Sequence, residues 1–303
     1  MRRFPSRRIV VAADLSEPSR SALEAARWLA LRWKASLELV YVRPLPVAPG
    51  LIGPEGMPVV VPPVKAERWS AVAKKLRAAV AGVPARRLSL RCVDGWPSAA
   101  LPGRAEADRA DLLVMGTHGY AGLDRLLFGS VAEAVLRRSR VPVLVVPLGA
   151  RVDGVRRVLA PYNGRPYATR ALRWAREFSR DVGAALTVLR VMEGGGPLAR
   201  RGLQELQSRL DVVLGRGPDW SLRLRRGDAR AQISAEAASG RCDLVVLSAH
   251  RRPTAGDVAL GSTVQRLLRR CPVPVLAVPS GRAGAKALRR PADAEAVSTA
   301  AVG

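Results

Sequence analysis

Aliphatic residues in this chain come in short unbroken blocks, separated by stretches in which they recur every three or four positions. Ile9 to Ala13, Leu37 to Val42, Asp111-Leu-Leu-Val-Met115 and Val141 to Val146 are blocks of the first kind. Consecutive apolar positions over such lengths predict strands buried on both faces. Ala22, Ala25, Ala26 and Leu29 instead fall on one side of a helix beginning near Pro18, with Ser16 as its N-cap. Val131 to Arg138 reads as another helix, and Pro102 interrupts what should be the third, predicting a late start or a kink there. Strands alternating with helices in this way imply an α/β fold with a parallel sheet covered on both sides.

The pattern is written twice. Ile9-Val-Val-Ala-Ala-Asp14 returns as Val158-Leu-Ala-Pro-Tyr-Asn163, 149 residues on (14 to 163), and the face of the first helix returns as Ala171, Trp174, Ala175 and Phe178. Later the offset becomes 132 (111 to 243), carrying Gly129-Ser130 to Gly261-Ser262 and Val141-Pro-Val-Leu-Val-Val146 to Val273-Pro-Val-Leu-Ala-Val278. The second copy is shorter mostly by the Pro/Gly-rich loop Pro44 to Val64. Two domains follow, residues 1–149 and 150–280, with residues 281–303 as a tail of disordered composition.

Composition narrows the classes. A chain of 303 residues can bury a full core without staples. Cys92, Cys242 and Cys271 are odd in number and lack CxxC or Cys/His spacing, so neither a disulfide framework nor a zinc site is supported, and a reducing cytoplasm is expected. No apolar run reaches the roughly 18–20 residues of a membrane span, nor does the stretch behind the N-terminal arginines resemble a signal peptide. The net charge of +25 raises nucleic-acid binding. Its arginines are scattered in pairs through both halves, however, which reads as codon bias rather than a groove, and specific nucleic-acid recognition is not expected.

The candidate chemistry lies between the fourth strand and the fourth helix. Gly116-Thr-His-Gly119 is followed by Gly129-Ser130 at a helix start. Glycines let backbone N–H groups approach an anion, and a helix N-terminus adds its dipole, so a phosphate-bearing ligand is the natural guest. Gly129-Ser130 also suits a plain helix start, and Asp14 also suits an Asp-x-Ser turn capping the first helix. Val42 and Met115 are core residues on either reading. His118 has no second metal ligand near it in sequence, and Arg125 could meet a phosphate or a loop carboxylate.

These residues resemble the universal stress protein family in its tandem form, over residues 7 to 279. The most specific match is the family's G-x2-G-x9-G-[ST] signature, met by Gly116, Gly119, Gly129 and Ser130. The resemblance implies two five-stranded parallel sheets in the order 3-2-1-4-5, with ATP beside strands 1 and 4, where strand order reverses. It implies Asp14 against the nucleoside, Ala13 and Val42 lining the base, and Met115, Gly116, Gly119, Gly129, Ser130 and Val131 around the phosphates, with Mg²⁺ as a companion ion that could accompany them. It also implies pairing of the two last strands within one molecule, a homodimer of tandems being the alternative. In the second half Asp14 becomes Asn163, Gly116 becomes Ser248 and Gly119 becomes Arg251; the added side chains should crowd the approach of phosphate, leaving that half as a partner domain.

The loop carries no lysine of the kind a P-loop brings to the β/γ-phosphates, so the expectation is binding with at most slow hydrolysis, and no enzyme. The implied role is an ATP-binding regulatory or stress-response protein with unknown protein partners. A nucleotide-independent interaction module is the alternative. An enzyme of the related adenine-nucleotide alpha-hydrolase or PP-loop type is disfavoured by the missing Ser-Gly-Gly-x-Asp-Ser loop.

Overall fold

A computed structural model describes residues 7–43, 47–52, 58–60, 68–117, 129–192, 200–254 and 257–280. The first half runs β1 (Arg8–Ala12), α1 (Glu17–Trp33), β2 (Ser36–Arg43), β3 (Val47–Ile52), β4 (Pro58–Val60), α2 (Trp69–Ala79), β5 (Leu88–Asp94), α3 (Pro97–Ala107), β6 (Leu112–Gly116), α4 (Ser130–Arg138) and β7 (Val143–Val146). The second runs β8 (Arg157–Pro161), α5 (Thr169–Val182), β9 (Ala185–Met192), α6 (Arg200–Leu214), β10 (Trp220–Arg226), α7 (Ala229–Ala238) and β11 (Leu244–Ala249). It ends with β12 (Arg251–Thr254), β13 (Asp257–Leu260), α8 (Ser262–Arg270) and β14 (Val275–Pro279).

One ten-stranded sheet holds both halves, in the order β10-β9-β8-β11-β14-β7-β6-β1-β2-β5. Each half is parallel within itself and follows the expected 3-2-1-4-5 order. The seam is antiparallel, with Val275 opposite Val145 and Ala277 opposite Val143, so the last strands do pair inside the chain. Both sheet faces are dry. Ile9 and Val11 point into the core under α1, α2, α5 and α6, whereas Val10 joins Val40, Leu113 and Val135 under α3, α4, α7 and α8. That is why the strands read as continuous aliphatic runs rather than alternating ones.

The halves also meet through side chains. Trp33 Nε1 on α1 donates to Asp181 Oδ2 on α5 at 2.7 Å, and its ring meets Phe178 edge-on at 6.2 Å. Across the seam Gln265 Nε2 donates to Glu133 Oε1 at 2.9 Å, from equivalent positions of α8 and α4.

Two local readings are corrected. The loop from Pro44 to Val64 contains an antiparallel hairpin, β3–β4, and the second half has its own hairpin, β12–β13, after β11. Pro102 neither delays nor ends α3, which runs from Pro97 through it. A proline there withholds the N–H that would bond the carbonyl of Ser98, four residues earlier; Arg138 Nη1 from α4 donates to that carbonyl instead, at 3.2 Å. Asp111 works at the amino end of the sheet, away from the loop that follows β6: its Oδ2 accepts from the N–H groups of Arg7 and Arg8 at 2.6 and 3.0 Å, as Asp243 does from Arg156 and Arg157. Residues 281–303 lie outside the described residues.

Candidate functional site

The crevice lies at the carboxyl ends of β1 and β6, the neighbouring strands from which the chain departs to opposite sides. After β1, Ala13 is buried and Asp14 opens a tight turn. Asp14 Oδ1 accepts from Ser16 N at 3.0 Å and Ser16 Oγ at 2.6 Å. Ser16 Oγ in turn accepts from Ser19 N at 3.3 Å, capping α1, and Ser19 Oγ accepts from Asp14 N at 3.2 Å. Leu15, between them, is held in the left-handed region at φ 64°, a conformation that costs a branched residue energy and is found where a turn is over-determined. The Asp-x-Ser turn therefore exists, and it occupies one carboxylate oxygen; among the described residues no donor reaches Oδ2.

The other wall is the β6–α4 connection. Gly129 N donates to Thr117 O at 3.1 Å, drawing the two ends of the loop together. Gly119, His118, Asp124 and Arg125 lie outside the described residues. Gly129 is the N-cap of α4 in extended conformation, and among the described residues no side chain caps the helix, whose first amides therefore face water, a ligand or the loop before it. Ser130 and Val131 are exposed on that first turn, whereas Val42 and Met115 are buried in the same apolar cluster as Ala132.

Gly116 is small for a reason the sequence reading missed. A Cβ built on it would lie 2.7 Å from the carbonyl oxygen of Pro18, in the first turn of α1. Close packing of helix on strand is by itself enough to exclude a side chain there. The second half shows the same contact resolved differently. Tyr167 replaces Pro18, the helix start loosens into a short 3₁₀ turn at Pro166–Ala168, and Ser248 Oγ donates to the Tyr167 carbonyl at 3.2 Å. Ser248 thus has a packing partner of its own in this half.

What does fill the second crevice is Tyr167 itself. Its hydroxyl accepts from Asn163 Nδ2 at 2.6 Å, and its ring stacks on His250 with centroids 4.2 Å apart and planes 12° from parallel. Asn163 keeps the turn of Asp14, its Oδ1 accepting from Arg165 N at 3.1 Å. Tyr167 thus spans the gap between the ends of β8 and β11. Aligning the two copies residue by residue, Pro18 against Tyr167 and His118 against His250, was the signal that could have found it.

Fold and crevice define the class: two doubly wound α/β domains in tandem, each with a switch-point crevice at the carboxyl ends of its strands. The chain belongs to the universal stress protein family, whose family model, described as Universal stress protein family, matches residues 5–147 and 154–279. Universal stress protein MJ0531 of Methanocaldococcus jannaschii is 34% identical over 141 residues, 46% of this chain and 81% of that one. Universal stress protein A homolog 1 of Coxiella burnetii is 33% identical over 142 residues, 46% of this chain and 94% of its own length. Among solved structures, a universal stress protein from Archaeoglobus fulgidus shares the fold over 92% of this chain and 100% of its own, with a TM-score of 0.66 at 21% identity. Among the described residues no helix is long and apolar enough to cross a membrane.

Proposed function

We propose that this universal stress protein is a nucleotide-dependent regulator that holds one ATP in the crevice of its first half. The observation that carries the reading is the difference between two copies of one frame. Both have a helix starting at an uncapped Gly-Ser pair. Among the described residues, the second alone has an aromatic side chain bridging its strand ends.

In the first half the open N–H groups of α4, with Gly129, Ser130 and Val131, would receive phosphate oxygens, Met115, Gly116 and Gly119 completing the loop. The Asp14 carboxylate, whose Oδ2 meets no donor among the described residues, suits ribose hydroxyls or an adenine amine. Ala13 and Val42 would underlie the base. ATP supplies charge and a planar base to be sensed; the loop itself carries no lysine for phosphoryl transfer, the chain's lysines being at 34, 65, 74, 75 and 286 in the sequence. Among the described residues no group of three acidic, His or Cys side chains could hold a metal, so Mg²⁺ would travel with the phosphates. The cytoplasm suits this role: burial pushes the Cys242 thiol up to about 12 and that of Cys271 to about 11, leaving both unreactive in a reducing compartment.

Calorimetric titration of the full chain with ATP tests the reading. Saturation near one ATP per chain is expected, weakened about 10-fold or more in Asp14→Ala, for the loss of a charge-assisted hydrogen bond, and unchanged in Asn163→Ala. No affinity in the wild type, or two equal sites, would overturn it.

A further inference from the structure

The residue between β5 and α3 separates the two halves as sharply as the loop does. In the second half it is Asp228, whose Oδ1 accepts from Ala231 N at 2.8 Å, the side-chain N-cap that a helix start favours. In the first half it is Trp96, which caps nothing and leaves half of its surface, 50%, in solvent. The backbone beneath is the same in both. Gly95 has φ 144° and Gly227 φ 114°, and each donates its N–H to the strand alongside, Gly95 to Arg43 O and Gly227 to Met192 O, both at 3.1 Å. Folding therefore favours a capping residue at this position, and the first half has given up the cap to present an indole.

The position of the indole supplies the reason. Gly95 is bonded to the residue after Val42, and β2 and β5 end in register there, Val42 opposite Val93. Trp96 heads α3, which packs over the same buried cluster as Val42, Met115 and Ala132, the last in the first turn of α4. It stands at the carboxyl edge of the sheet, on the face that carries α4 and beside the strand end assigned to the base. An exposed aromatic at a ligand-bearing edge is suited to stack on a flat heterocycle.

We infer that Trp96 is a specificity-determining residue of the first-half site, covering one face of the purine ring of the bound nucleotide. The inference rests on the ATP-binding reading above. Stacking reads the π-face rather than a hydrogen-bonding edge, so Trp96 selects for a planar base without distinguishing adenine from guanine. Tripolyphosphate, which has no base, does not engage it.

Full-length Trp96→Asp installs the residue of the second half together with its cap, so its melting temperature should equal or exceed that of the wild type. Trp96→Phe keeps a ring. Titrated with ATP and with tripolyphosphate, Trp96→Asp should lose about 5- to 100-fold in ATP affinity, the range that one base-stacking contact contributes, with tripolyphosphate unchanged. Trp96→Phe should recover most of the ATP affinity. Equal ATP affinity in Trp96→Asp and the wild type overturns the inference while leaving the binding reading intact. Equal losses for ATP and tripolyphosphate also overturn it, by making the effect one of charge. Absence of ATP binding to the wild type removes both.

Discussion

At the scale of single residues, the repeat works as an internal control that turns motif matching into physics. Gly116 satisfies a nucleotide signature, yet its nearest neighbour is Pro18, at a distance no Cβ tolerates. Gly116→Ala is expected to destabilise the protein by about 1–3 kcal/mol through overpacking. Ser248→Gly, which removes one hydrogen bond to Tyr167 O, should cost only about 0.5–1.5 kcal/mol. Urea denaturation of the two variants checks the order, and a reversal would mean that α1 slides to accept the methyl. Loss of ATP binding in a Gly116 variant would then reflect α1 packing as much as ligand contact, which makes Asp14 and Trp96 the cleaner probes. A charge exchange follows the same logic. In the first half Glu38 on β2 pairs with Arg91 of β5 at 2.8 Å and Arg104 of α3 at 3.2 Å. In the second Thr187 stands at Glu38's place, while Glu236 stands at Arg104's place and pairs with Arg223 and Arg225 of β10. The carboxylate has moved from strand to helix, and the buried charge stays paired, as it must in a low-dielectric interior.

At the scale of elements, a helix with a proline in its interior survives because another helix completes its hydrogen bonding. Arg138 of α4 supplies the donor that Pro102 withholds from Ser98 O. Arg138→Ala should therefore cost about 0.5–1.5 kcal/mol in the wild type and clearly less in a Pro102→Ala background, where the restored N–H takes over. A double-mutant cycle on unfolding free energies measures that coupling, and additivity within about 0.3 kcal/mol would refute it. The main elements were legible in the sequence because strands dry on both faces leave uninterrupted aliphatic blocks, each present in duplicate. The hairpins β3–β4 and β12–β13 were not, since they pair outside the main sheet and their proline and glycine content reads as loop. Within the candidate site, Asp14 and Gly129-Ser130 stood out by residue type and spacing. Pro18, Tyr167 and Trp96 did not, because the role of each depends on a neighbour brought close by the fold: Gly116, His250 and the end of β2.

At the scale of the whole molecule, β7 and β14 are each paired on both sides, and the open edges of the sheet are β5 and β10. Those edges carry Arg91 and Asp94 on one strand and Arg223, Arg225 and Arg226 on the other, charges that discourage further strand addition. The seam strands, Val-Leu-Val-Val and Val-Leu-Ala-Val-Pro, have no such protection. Residues 1–149 expressed alone should consequently pair through β7 and sediment at twice the monomer mass. A monomer would show that the strand edge does not dictate the pairing. Because the seam is antiparallel, the carboxyl ends of the strands point one way in the first half and the opposite way in the second, and the two crevices open at opposite ends of the molecule. There is a genetic consequence. In a dimer of identical chains every substitution lands at both ends at once, whereas here each end answers to its own stretch of gene. Tyr167 could enter one crevice and Trp96 edge the other without either change being copied across.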